Sequence, residues 1–131
     1  MQKTLQEVRE IFYGDKFATE NGAMIDEIGE NYAVCSLDIT PLHKNAMGAV
    51  MGAVYFMLAD FAFAVASNLE NMGCVSLRSD ISFLSNAKGE RLIAKANCIK
   101  NGKTTVVYRV DVYDDLGNLT ATVTTTGYHV K

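Results

Sequence analysis

NAMGAVMGAVYFMLADFAFAV, residues 45–65, is apolar at almost every position and holds one charge, Asp60. The run from Ala49 to Ala66 reaches the lower length limit for a membrane-spanning helix. Its context argues against a span. Alanine and glycine weaken transfer to lipid, neither flank is biased towards Lys or Arg, and strand patterns follow. A helix apolar on every side is instead a core helix, wrapped by a sheet and by a second copy of the chain. In that setting an unpaired carboxylate costs several kcal/mol, comparable with the stability of a small domain. The helical neighbours of Asp60 at three and four residues, Phe56, Met57, Phe63 and Ala64, offer neither charge nor a good donor. Either Asp60 turns to solvent without a role, or its burial serves chemistry.

The start of the helix adds Asn45, Gly48 and Gly52. A helix N-terminus presents unpaired N–H groups that attract an oxyanion, and glycine lets a carbonyl approach the backbone.

Outward from this stretch the pattern changes twice. On the N-terminal side, Leu5, Val8, Ile11 and Phe12 fall at helical spacing, with Thr4 as N-cap and Glu7 completing a capping box. Asn21-Gly22 breaks that pattern, and Ala23–Ile28 and Tyr32–Ile39 read as two strands around the turn Gly29-Glu30-Asn31, with Pro41 ending the second. On the C-terminal side, Val75–Phe83, Arg91–Lys100, Thr104–Tyr113 and Leu119–Tyr128 read as four strands. Val106, Tyr108, Val110 and Val112 alternate with Val107, Arg109 and Asp111, and threonines alternate with Leu119, Ala121 and Val123. Asn101-Gly102 and residues 114–118 are hairpin turns. The expected class is α+β: a short N-terminal helix, two strands, one long helix, then an antiparallel meander, with one sheet packed on the main helix.

The 131 residues fit one domain, 1–131. A net charge of −3 and a pI near 5.3 argue against a nucleic-acid or membrane-surface partner, which would need a basic field. Cys35, Cys74 and Cys98 are odd in number and far apart, without C-x-x-C or paired His spacing, so neither a disulfide framework nor a metal site is expected. With a charged N-terminus in place of a signal peptide, the expected location is the cytoplasm.

Taken together, Asn45-x-x-Gly48-x-x-x-Gly52 followed by Leu58-Ala59-Asp60-x-Ala62-Phe63-Ala64 resembles the hotdog-fold acyl-CoA thioesterases of the PaaI-like, phenylacetate-pathway group. The stretch from Phe83 to Glu90, FLSNAKGE, is similar to that group's FL-x-x-A-x-x-G hairpin. The resemblance implies a hotdog fold, a long helix inside a curled antiparallel sheet of about five to six strands. It also implies pairing into a homodimer, often a dimer of dimers. On this chain it makes Asp60 the nucleophile or general base, the Gly52 N–H the oxyanion donor, and Asn45 a positioning group. Met51, Phe56, Phe63 and Ala64 become substrate-binding residues. The expected reaction is hydrolysis of an aromatic or medium-chain acyl-CoA to free acid and CoA, with no cofactor beyond the coenzyme A of the substrate. Two departures stand out: Met51 replaces a frequent His, and Ala64 replaces a Ser or Thr found in some relatives. The Gly52 N–H needs no side chain at position 51.

Geometry then sets a condition. At about 1.5 Å per residue, Gly52 and Asp60 are about 12 Å apart along one helix, so one chain cannot place both at a single carbonyl. A dimer with two composite sites follows. A thioester carbonyl is electrophilic enough for a carboxylate alone. Burial raises the pKa of Asp60, while the helix field and partner groups oppose it, so the sequence leaves the direction open. For the phosphates of CoA, Lys88 and Arg91 flank the Gly89 turn, with Arg78, Lys100 and Lys103 as further candidates. Two other functions compete. A hotdog dehydratase would use a His with the acid, but His43 and His129 read as exposed residues outside any dehydratase motif. A non-catalytic acyl-CoA-binding protein is favoured by Met51 and Ala64.

Overall fold

The computed structural model describes residues 2–130. In chain order the elements are α1 (Leu5–Phe12), α2 (Lys16–Glu20), β1 (Met24–Gly29), β2 (Tyr32–Asp38), a 3-10 turn (Pro41–His43), α3 (Gly52–Ser67), β3 (Cys74–Phe83), β4 (Arg91–Asn101), β5 (Thr105–Asp114) and β6 (Leu119–His129). The capping box forms at α1: Glu7 N–H donates to Thr4 Oγ1 and Thr4 N–H donates to Glu7 Oε1. The six strands make one antiparallel sheet, and α3 lies against its concave face.

Helix α3 has almost no polar face, and its sides are divided between two neighbours. Leu58, Ala59, Ala62, Phe63, Val65 and Ala66 are buried in the core. The small Ala59 and Ala62 let the helix sit close to the sheet. Across from them, Leu92, Ala94 and Ala96 of β4 and Val106, Tyr108, Val110 and Val112 of β5 alternate inward as the period of two requires, and Ala94↔Val112 and Ala96↔Val110 are paired. Phe61 leaves this core for the other flank, meeting Phe12 of α1 edge to face at 6.3 Å. Register shifts in the pairings of β1, β3 and β4, and one between β5 and β6, increase twist locally and curl the sheet around the helix.

The strand extents agree with the sequence reading to within a residue or two, but the meander does not hold. The order is β1-β2-β4-β5-β6-β3, so β3 pairs with β6 and occupies an edge. Only β4, β5 and β6 form a meander. Residues 84–90 carry the chain across the end of the sheet without a tight turn. Leu84 and Ser85 donate to Thr120 O, Ala87 N–H donates to Tyr55 Oη at 2.9 Å, and Lys88 N–H donates to Asp114 Oδ2. Alternation identifies a strand; it carries no information about which strand lies beside it. A second departure is α2, an additional short helix between α1 and Asn21-Gly22. Among the described residues, no helix is long and apolar enough to cross a membrane.

Candidate active site

The segment before α3 is a closed turn built by Asn45. Its N–H donates to Ala49 O (2.7 Å), its carbonyl accepts from Gly48 N–H (2.9 Å), and its side-chain Oδ1 accepts from Met47 and Ala49 N–H (3.0 and 3.1 Å). Gly48 has φ 84, a left-handed conformation that only glycine adopts without strain. Lys44 and Val50 pair across the base of the turn, and Met51 N–H donates to His43 O at 2.9 Å. Helix α3 therefore starts at a fixed place, with Met51 as N-cap. No side chain caps its first turn, which leaves donors there for a ligand. A Cβ on Gly52 would stand 3.3 Å from the Phe83 ring, so the glycine also lets β3 close over the helix start.

Two turns further along α3, Asp60 is half-buried on the floor of a groove of about 540 Å³. One wall is α3 itself, with Ala53, Phe56, Met57 and Phe61; the other is the segment Asp15, Lys16, Phe17 and Ala18. Among the described residues Asp60 has no hydrogen bond and no ion pair. Burial pushes its carboxyl above the usual carboxylate range, and the charge of Asp15 pushes it further the same way. Burial also raises Asp15 itself. The direction that the sequence left open is therefore upward in the single chain. A partly desolvated carboxylate with no partner is a stronger base than an exposed one.

The other expected residues divide. Phe56 lines the groove, and Met51 is exposed at the helix start. Asn45 acts on its own turn, so its effect on the site is through the placement of Gly52. Phe63 is not a groove residue: it is core, edge to face with Tyr108 at 5.4 Å, because it projects towards the sheet while Asp60 projects away from it. Ala64 packs on the same core and does not line the groove. Arg91 is not a free cation. Its Nη2 donates to Ser36 Oγ at 2.6 Å and Asp26 Oδ1 at 3.3 Å, and its Nε lies 3.8 Å from Asp38 Oδ1, so it joins β4 to β1 and β2. The Lys88 ammonium makes no ion pair among the described residues, and the backbone of Lys88 is held by Asp114.

His43 is not an exposed loop residue either. It is 4% exposed; its Nδ1 accepts from Thr40 N–H at 3.0 Å, and its Nε2 donates to Asn21 O at 2.6 Å. Both ring nitrogens are thus engaged with backbone, so the imidazole acts as a brace between the 3-10 turn and Asn21. Sequence reasoning missed Asp15, Lys16, Phe17 and Ala18. The available signal was Asp15 as N-cap to a short KFATE helix ending at Asn21-Gly22. Among the described residues no cluster of His, Cys, Asp or Glu could hold a metal ion.

A central helix in a curled six-stranded antiparallel sheet is the hotdog fold, and the chain belongs to the thioesterase superfamily, a class of thioester hydrolases: the model of that family matches residues 47–121. Among particular proteins, the chain is 31% identical over 111 residues to the acyl-coenzyme A thioesterase PaaI of Escherichia coli, covering 84% of this chain and 79% of that protein. It is 26% identical over 118 residues to mouse acyl-coenzyme A thioesterase 13, covering 86% of this chain and 84% of that one. The solved structure of the E. coli PaaI protein from the phenylacetic acid degradation operon superposes with a TM-score of 0.89 at 25% identity, over 98% of this chain and 97% of that one.

Proposed function

We propose that this acyl-CoA thioesterase acts as a homodimer, in which Asp60 of one protomer and the Gly52 N–H of the other converge on the carbonyl of an aromatic or medium-chain acyl-CoA. The observation that carries this reading is the pairing of two incomplete halves on one helix: an unpartnered, half-buried carboxylate and, about 12 Å away along the axis, an uncapped glycine N-terminus. Antiparallel apposition of two α3 helices brings each half to the other. The edge strand β3 supports a second copy. Its exposed positions include the apolar Val75, Leu77 and Phe83 beside the polar Ser76, Arg78, Asp80 and Ser82, and a free strand edge presents unpaired backbone groups.

Two routes serve hydrolysis. As general base, Asp60 takes a proton from a water that attacks the thioester carbon. The oxyanion forms against the Gly52 N–H, and collapse breaks the C–S bond, with the proton passing to the departing CoA thiolate. As nucleophile, Asp60 attacks the thioester carbon, the C–S bond breaks with CoA leaving as thiolate, and water cleaves the resulting mixed anhydride to free acid and the Asp60 carboxylate, its released proton neutralising the thiolate. Lys88, exposed on the connection pinned to Tyr55 and Asp114 beside the helix start, supplies a cation for CoA phosphate. The three cysteines are free, which suits a reducing compartment such as the cytoplasm.

The test is Asp60→Asn assayed for thiol release on a panel of acyl-CoAs. The substitution keeps shape and removes the negative charge, so kcat falls by about 100-fold or more with the fold intact. Unchanged turnover would overturn the role given to Asp60. A wild-type protein whose melting temperature rises with acyl-CoA but which releases no thiol would be a binder instead.

A further inference from the structure

We propose that α2, with Phe17 foremost, is the wall that selects the acyl group, and that it admits an aryl or medium-chain alkyl acyl group while disfavouring acetyl and carboxylated acyl groups. This rests on the reading of Asp60 as the reacting carboxylate.

A thioester carbonyl held at Asp60 has two substituents. The sulfur arm leads to the phosphates of CoA and must run out towards solvent and a cation. The acyl substituent takes what remains of the groove, and that remainder is apolar from both sides: Phe56, Met57 and Phe61 on α3, and Phe17 and Ala18 on α2. A volume of about 540 Å³ is far more than an acetyl group fills.

The α2 wall is held in place. Ala18, its one buried residue, anchors it, and Ala23 N–H donates to Ala18 O at 3.0 Å. The Asn21 side chain donates to Phe17 O at 2.7 Å, and the Lys16 ammonium sits 3.8 Å over the Tyr13 ring. On this fixed backbone Phe17 is 74% exposed and contributes nothing to the core. Within one protomer its place on the groove opposite Phe56 and Met57 leaves the ring without a protein partner, and an apolar group lying between them supplies one. The exclusion of acids follows from charge. Asp15, Lys16 and Asp60 line the same groove, and a carboxylate on the acyl group would meet two acids against one ammonium, which sits over the Tyr13 ring.

The experiment compares kcat/KM for octanoyl-CoA, phenylacetyl-CoA, acetyl-CoA and succinyl-CoA in wild type, Phe17→Ala and Phe17→Leu. Wild type should prefer octanoyl and phenylacetyl over acetyl, with succinyl last. In Phe17→Ala the octanoyl-to-acetyl ratio should fall about 10-fold, the worth of one large apolar contact, and Phe17→Leu should restore most of it. A merely structural role would lower all four substrates together and leave the ratio in place; that result overturns the proposal, as does a wild type that favours succinyl-CoA. Calorimetric binding of octanoyl-CoA and acetyl-CoA to Asp60→Asn, with and without Phe17→Ala, reads the same ratio without turnover. If the wild type cleaves no thioester, the hydrolytic role of Asp60 fails, and the binding ratio still decides whether Phe17 selects the acyl group.

Discussion

Gly52→Pro would remove one atom group of interest, the N–H proposed to hold the oxyanion, while sparing the helix. Proline is well tolerated at the first helical position, where the N–H has no intrahelical acceptor and φ is already near the value the ring imposes. The residue before a proline must be extended, and Met51 already is, with φ −66 and ψ 140. The added carbons press on the Phe83 ring, which a Cβ would approach to 3.3 Å and which packs edge to face on Tyr55, so the ring must give by a few tenths of an ångström. Stability should therefore change little. Loss of one oxyanion donor lowers kcat by about 100- to 1000-fold, equivalent to about 3–4 kcal/mol of barrier. The assay is thiol release with thermal melting alongside. The composite site makes a sharper demand when Gly52→Pro is refolded together with Asp60→Asn. Each homodimer is inactive, but a mixed dimer regains one intact site, so statistical mixing returns about a quarter of wild-type turnover. A Gly52→Pro protein that melts normally and turns over normally would refute the oxyanion assignment, and no recovery on mixing would refute the two-chain site.

Two further outcomes follow from charge. Because Asp15 helps to raise the Asp60 carboxyl, Asp15→Asn should shift the acid limb of the kcat/KM pH profile to lower pH; an unmoved limb would show that Asp15 does not face Asp60 in solution. Beside the connection 84–90, burial alone would raise Asp114, but its oxygens accept from Lys88, Leu116 and Asn118 backbone N–H and from Asn118 Nδ2, and these hold it down at about 2. A depressed carboxylate contributes stability that is present above the unfolded carboxylate pKa and lost as pH falls towards about 2. Asp114→Ala should therefore lower stability by about 3 kcal/mol and the melting temperature by about 10 °C at neutral pH, a gap that narrows in acid.

The residues themselves carry much of this protein. A run of apolar residues with a single acid specifies a core helix, because no partner for Asp60 lies within reach on the same helix. Strict alternation in Thr105–Asp114 and Leu119–His129 specifies strands with one face inward, because side chains leave a strand on opposite sides. The separation of Gly52 and Asp60, about 12 Å along the axis, is fixed in the same way, since helix rise is a constant of the backbone. These are local properties, set by neighbours in the chain. Contacts between distant segments are not. Whether β3 lies beside β4 or β6 depends on where residues 84–90 cross, and that is decided by hydrogen bonds to Tyr55, Asp114 and Thr120. Arg91 became a brace between strands only when folding brought Asp26 and Asp38 to it. His43 became buried only when Asn21 O arrived to accept its proton. Phe63 and Phe56, both aromatic on one helix, separate into core and groove by which side the sheet covers. Phe17 and Asp15 reach the site through a short helix too weak in its own pattern to predict, held by Ala18 in the tertiary core. Chemistry borne by one residue and its helical neighbours can be read along the chain, whereas the walls around it come from segments that only packing brings together.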